Sequence, residues 1–429
     1  MFSLADTKFP RMARVRQHFV APELADIPQA VRAELEGLNL SERIKRGDSV
    51  AVTAGSRGVA NIAVIIRTVV DHLKSLGAEP FVVPAMGSHG GATAEGQREI
   101  LRHYGITDET MGVPIRATMD VVKVGSIVDG MPVNLDRNAY GADHIAVVNR
   151  VKPHTDFRGK IESGLCKMMA IGLGKQAGAQ FYHRAFFQYE FEPIVRQIAR
   201  RVLETGKVAF GLAIVENAYE STAKVVGLHP DEIEATEPKL LEEARGLMAR
   251  LPFDRLDLLI VDEMGKNISG TGMDTNIIGR LYQDNMPEPE SPKILRIFAR
   301  DLTEMSGGNA AGIGFADVTT TRLVQSIDRT STYMNAFTAG TPIKMRTPLH
   351  FDTDREALAW VLNTIGLTPS DRSRTVRIFT TLHLDEVLIS EVLLDEAKER
   401  PDLEILGEPE AITFDAEDKL TPFYTALTA

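Results

Sequence analysis

A single cysteine, Cys166, stands among 429 residues. No internal disulfide can form, and a reducing compartment is implied. Cys-x-x-Cys and His-x-x-x-His spacings are both missing, which excludes a self-contained structural zinc site. No uncharged apolar run approaches the length of a membrane span, and Met1 to Lys8 hold no apolar signal core. A cytoplasmic protein with no membrane partner is therefore expected. Basic charge is in deficit too, at 48 Lys and Arg against 59 Asp and Glu, a net −11. Nucleic acid is thus not the expected partner. Internal repeats and low-complexity segments are absent.

Two glycine-rich segments fall short of nucleotide-binding patterns. Ala170-Ile171-Gly172-Leu173-Gly174-Lys175-Gln176 lacks the upstream glycine and the Ser/Thr of a P-loop. Gly270-Thr271-Gly272-Met273-Asp274-Thr275 places Thr275 where the third dinucleotide-fold glycine belongs. An ordinary dinucleotide or ATP site is disfavoured, while a mononucleotide held by loop amides stays open.

What is present reads as α/β. Strand-like 49–54 leads into a helix with Ile62, Ile65, Ile66, Val69, Val70 and Leu73 on one face, then a strand at 80–84 and a helix over 93–104. That order makes a βαβ unit on a parallel sheet. Further strands are expected at 144–148, 207–215, 258–262, 311–316 and 375–380. Helices are expected through Phe181, His183 and Phe186, over 231–250, and near 331–338 and 355–365. The length calls for two domains. We expect two Rossmann-like α/β domains, 1–255 and 256–429, with the active site in the cleft between them; residues 395–429 are weakly patterned.

Parallel sheets collect ligands at the carboxyl ends of their strands. His89 follows such a strand, in Met86-Gly87-Ser88-His89-Gly90-Gly91, and Arg57 follows another, in Gly55-Ser56-Arg57-Gly58. Glycines there remove bulk, so the polar side chains face a ligand, and a guanidinium suits bidentate capture of a carboxylate. His154 comes after Lys152-Pro153, and on that fact alone function and structure weigh about equally. Lys167 sits in apolar surroundings, Leu165-Cys166-Lys167-Met168-Met169, which favours a neutral, nucleophilic amine over a snorkelling one only if it is desolvated. Cys166 reads as a small buried hydrophobe. His18, His72, His103, His144, His229, His350 and His383 carry no comparable context.

Taken together these segments resemble the nickel-dependent lactate racemases, which carry a nickel-pincer nucleotide. Ser88-His89 resembles the family's Gly-Thr-His segment, and His154 its second acid/base histidine. Ser163-Gly164-Leu165-Cys166-Lys167 resembles the Ser-Gly-Gly-x-Lys segment whose lysine bonds the cofactor. His183 follows Lys167 by sixteen residues, the family's separation of lysine and nickel ligand. Arg57 resembles the carboxylate-binding arginine, and Asp274-Thr275-Asn276 the second domain's contribution. The resemblance implies a nickel-pincer nucleotide attached to Lys167, held by Ser163, Gly164, Asp274 and Thr275, with His183 on the metal. It implies His89 and His154 as acid/base pair, a small 2-hydroxy acid as substrate and separate maturation proteins as partners; an oligomer is left open. Ala54 replaces the family's aspartate three residues before the arginine, removing one contact to the nucleotide portion. The stretch between His154 and Lys167 is longer by about three residues and adds Arg158, Lys160 and Glu162. That addition points to a larger, hydroxylated substrate, a sugar acid such as gluconate, with Arg158 and Lys160 helping to bind it.

Two other classes compete. A zinc- or iron-dependent hydrolase or lyase would need His89, His154 and His183 to converge within about 2.1 Å of one ion. A non-catalytic sugar-acid or nucleotide binding protein would use the same histidines only as hydrogen-bonding groups.

Overall fold

A computed structural model of the protein describes residues 6–423 except Arg57, Phe187 and Asn285; the side chains of His183 and Thr338 also lie outside the description. The chain is α/β and divides into two compact units, Val20–Met248 and the combination of Met1–Phe19 with Ala249–Ala429.

The Val20–Met248 unit is built on a five-stranded sheet. Its strands are β1 (Ser49–Ala54), β2 (Glu79–Pro84), β3 (His144–Arg150), β4 (Val208–Glu216) and β5 (Thr222–Leu228). They lie in the order β2-β1-β3-β4-β5, parallel except for β5. Chain reversal between parallel strands requires crossovers. Helix α1 (Ile62–Ser75) supplies the first, burying Ile62, Ile65, Ile66, Val69, Val70 and Leu73 at the spacing that the sequence shows. Each such side chain contributes roughly 1.5–3 kcal/mol of burial. Helix α2 (Ala94–His103) follows β2, with Thr93 capping it by accepting the Gly96 N–H. Later come α3 (Lys175–Ala185), α4 (Phe191–Leu203) and α5 (Ile233–Leu247). Phe186 stands one residue past α3, as its C-cap. A hairpin of Val121–Ser126 and Pro132–Asp136, which the sequence reading left undetected, forms a separate two-stranded sheet.

In the other unit, a nine-stranded sheet runs from Leu349–Phe351 through Val318–Thr320, Lys293–Leu302, Arg255–Met264, Thr375–Ile378, Glu386–Ser390 and Arg11–Gln17 to Leu403–Ile405, with Glu410–Ala411 also on Arg11–Gln17. Two expectations need correction here. The first strand, Arg11–Gln17, pairs antiparallel with Glu386–Ser390 and Leu403–Ile405, so the first 19 residues are not part of the domain drawn as 1–255. The residues that close this sheet come from 395–429, which the sequence had left unassigned. The expected strand 311–316 is instead a turn and a short 3-10 segment, Ile313–Phe315, with the strand starting at Val318. Gly312 explains this: its φ is +92°, and a Cβ there would stand 1.7 Å from Thr271 O. An apolar, glycine-containing run is here a buried turn packed on a neighbouring loop, and its lack of charge imitates a strand.

Candidate active site

Loops leave the carboxyl ends of three neighbouring strands, β2, β1 and β3, and each carries a residue singled out from sequence. The loop after β1 holds Gly55, Ser56 and Arg57; Arg57 lies outside the described residues. Ser56 Oγ is 2.5 Å from His89 Nδ1, joining this loop to the one after β2. Tyr104 O–H donates to Ser56 O at 3.0 Å and fixes the backbone behind that contact. His89 itself is exposed. A hydroxyl can donate or accept, so Ser56 suits either neutral tautomer of His89.

The loop after β3 is held more tightly. Lys152 and Ser163 exchange backbone hydrogen bonds of 3.0 and 3.2 Å, closing residues 153–162 into an irregular hairpin. Inside it the Glu162 carboxylate, which is fully buried, accepts the His154 N–H at 2.6 Å and the Gly159 N–H at 3.0 Å. Arg245 of α5 donates to the same carboxylate at 2.5 Å. The half-buried His154 ring stacks on Phe157 at 4.0 Å and 23°, and Phe157 stacks on Phe191 of α4 at 3.4 Å. The Asp156 N–H donates to His154 Nδ1 at 2.9 Å. An imidazole nitrogen that accepts carries no proton, so the neutral ring bears its hydrogen on Nε2.

Lys167 ends the short helical segment Leu165–Lys167, which runs into a π-turn, Met168–Gly172, and then α3. Its side chain is half-buried, with Nζ 5.6 Å from the centre of the Phe157 ring. Lys167 and His154 thus share one aromatic neighbour. Asn149, at the end of β3, donates to Gly164 O at 2.8 Å, and Met168 accepts no substitution at Gly55 without contact, its Cε being 3.3 Å from where a Cβ would sit. Segments after β1, β3 and the Lys167 turn therefore meet at one edge of the sheet.

Beneath that turn lies a residue the sequence reading missed. Glu237 of α5 is fully buried, and its Oε2 accepts the Cys166 N–H at 2.9 Å. A Cβ at Gly164 would meet its Oε1 at 2.2 Å, so only glycine fits there. Burial pushes the Glu237 carboxyl up to about 7, against a smaller opposing pull from the Cys166 N–H. Burial, then the Glu237 charge, pushes the Cys166 thiol well above its ordinary range, so Cys166 is the inert buried hydrophobe that its setting implied. A signal for Glu237 was there: Ile233, Glu237, Leu240, Leu241 and Ala244 share one helical face, and all are buried. A lone acid on an apolar stripe marks a group with an internal partner.

Other expected residues fall as follows. His183 lies in α3, next to Tyr182; its side chain lies outside the described residues. Tyr182 is fully buried and donates to Pro132 O at 3.0 Å, which sets the rotation of α3, and burial pushes its phenol up to about 12. Arg158 folds back to donate to His154 O at 2.5 Å, whereas the Lys160 side chain is exposed. Glu162, expected beside the substrate, is instead spent inside the loop. Asp274 and Thr275 belong to the other unit, where the Asp274 carboxylate caps Thr275–Ile278 by accepting the Asn276 N–H, and Thr275 is fully buried.

Residues 3–192 match the family model of the lactate racemase N-terminal domain. This stretch, 190 of the 429 residues, is similar to a lactate racemase N-terminal domain. The matched stretch contains Arg57, His89, His154, Lys167 and His183. The lactate racemase apoprotein from Thermoanaerobacterium thermosaccharolyticum is similar in structure, with a TM-score of 0.53 at 13% identity, over 86% of this chain and 94% of that one. At that identity the likeness speaks to the fold. No curated protein matches the sequence. No helix among the described residues is long and apolar enough to cross a membrane.

Proposed function

We propose that the protein inverts C2 of a 2-hydroxy acid by reversible hydride transfer, with a nickel-pincer nucleotide tethered to Lys167. The observation that carries this reading is the placement, inside the stretch matched to the lactate racemase N-terminal domain, of His89 and His154 on loops from the carboxyl ends of the two strands that flank β1, with Lys167 beside the His154 loop.

Direct deprotonation at C2 is unfavourable, because a carbanion next to a carboxylate is a dianion far too basic for imidazole to generate. Oxidation of the alcohol avoids it when a hydride acceptor is present. The donor set fits such a group: a half-buried amine can be acylated, and imidazole is a suitable ligand for nickel. Lys167 and His183 would hold the cofactor, with Ser163 and Gly164 around its nucleotide portion. When bound, it supplies a site that takes up and returns a hydride.

The chain's own residues manage the proton and the orientation. Arg57 binds the substrate carboxylate through a bidentate pair. One imidazole takes the hydroxyl proton as the alcohol becomes a ketone, and the other returns a proton to that oxygen once the opposite face has been reduced. Phe157 and Phe191, stacked behind His154, keep water from one side of that oxygen. A sugar acid such as gluconate is the substrate to test first, with Arg158 as the added polar neighbour and lactate as the comparison. Loading by separate maturation proteins is part of the same proposal.

The test is intact-mass and metal analysis of protein co-produced with the maturation proteins. The unaltered chain should carry an adduct that Lys167→Ala loses entirely, and His183→Ala should lose nickel while retaining its fold. An adduct surviving in Lys167→Ala refutes the tether.

A further inference from the structure

Lys175 entered the sequence reading only as part of a failed P-loop, yet it is one of the most deeply buried charged groups in the chain. It opens α3, the helix that carries His183, with φ +54°. Its Nζ donates to Pro84 O at 2.5 Å, where β2 ends, and to Gln97 Oε1 at 2.9 Å. Asp136 Oδ2 stands 3.1 Å away, an ion pair whose angle falls outside hydrogen-bond geometry. Asp136 Oδ1 is occupied by the Ala139 N–H at 2.9 Å. A charged pair without exposure is costly to assemble for stability alone, since apolar replacements often do as well.

Gln97 shows what the pair does. It is fully buried in α2, and its Nε2 donates to Gly87 O at 2.9 Å and to His89 O at 3.3 Å. Reversing the amide would set its NH2 against an ammonium and its oxygen against two carbonyls. Lys175 therefore fixes which end of Gln97 faces the His89 loop. The loop is held from its other side by the Gly87 N–H, which donates to Gly172 O at 3.2 Å in the π-turn just before α3.

We propose that Lys175 and Gln97 are positioning residues, joining the backbone of the His89 loop to the first turn of the His183 helix so that acid/base group and metal ligand are set by one buried contact. Asp136 neutralises the lysine in that arrangement. This rests on the function proposed above for His89 and His183, but the contact itself is measurable without turnover.

Gln97→Met, apolar and similar in volume, removes both donors to the loop. In the full-length protein, amide hydrogen exchange across 86–92 should accelerate roughly tenfold or more, with exchange across 151–158 unchanged as the internal control. The Lys167 adduct should still form, and on whichever 2-hydroxy acid is inverted kcat should fall about tenfold with KM held. Gln97→Glu, which keeps an acceptor for Lys175 but loses the donors, should give the same exchange pattern and serves if the Met variant does not fold. Unaltered exchange at 86–92, or equal acceleration in both segments, overturns the proposal. Loop-selective acceleration in a protein whose unaltered form inverts no 2-hydroxy acid would leave the contact standing and remove the function from it.

Discussion

The His89 and His154 loops offer their imidazoles on different terms. His89 is exposed and meets a serine hydroxyl, a partner that can switch between donor and acceptor. His154 is half-buried, stacked, and meets a backbone N–H, a partner that can only donate. A racemase needs each histidine to serve as base for one substrate face and acid for the other. For His154 the neutral ring holds its proton on Nε2, and adding one at Nδ1 must displace the Asp156 N–H. The Asp156 carboxylate, 4.0 Å from the same nitrogen, is placed to take that proton's hydrogen bond after a small shift. Unequal kcat in the two directions is the expected consequence.

The largest expected effect concerns both loops. His89→Ala and His154→Ala should each retain the Lys167 adduct while kcat falls by about 10³ or more, the upper range for a lost acid/base group. Normal turnover in either variant removes that histidine from the mechanism. Next, Glu162→Ala strips the His154 N–H, the Gly159 N–H and Arg245 of their shared acceptor, and should cost about 3 kcal/mol in urea unfolding. Its exchange signature should appear at 151–164 and spare 86–92, the mirror image of the Gln97 variants.

The His154 side also carries a titrating group. Burial holds the Glu237 carboxyl at about 7, above the 4.5 ordinary for a glutamate, so the folded protein binds a proton that the unfolded chain has released between those values. Stability should therefore fall as pH rises through that window, by about 3 kcal/mol in total, and level off above it. Glu237→Gln should flatten the profile; an unchanged slope would mean that another group causes it. Asp156→Asn keeps the backbone donor but removes the carboxylate, and should slow one direction of turnover by about tenfold, leaving the other within about twofold. Ser56→Ala is the mildest, a loss of roughly fivefold, in line with one neutral hydrogen bond. Equal effects of these last two on both directions would erase the distinction between the loops.

Much of this site could be read from residue patterns. Strand ends followed by glycines placed the His89 loop, and the apolar spacing of Ile62 to Leu73 gave α1 and hence the parallel sheet. What escaped were groups whose role depends on a distant partner. Nothing local distinguishes Lys175 from a solvated lysine, because its acceptors Pro84, Gln97 and Asp136 are between 39 and 91 residues away in sequence. Arg11–Gln17 looked like part of its sequence neighbours for the same reason, since its partners come from the far end of the chain. Glu237 was detectable in principle, as an acid on an apolar helical face, but the overall charge of α5 hid it.

The most direct test of the central claim follows C2 itself. Cofactor-loaded protein is incubated with gluconate, lactate and other 2-hydroxy acids in deuterated water, and the products are read by NMR. Hydride transfer between bound cofactor and substrate predicts inversion at C2 with its original hydrogen retained. Inversion with deuterium at C2 would show proton abstraction instead and contradict the account.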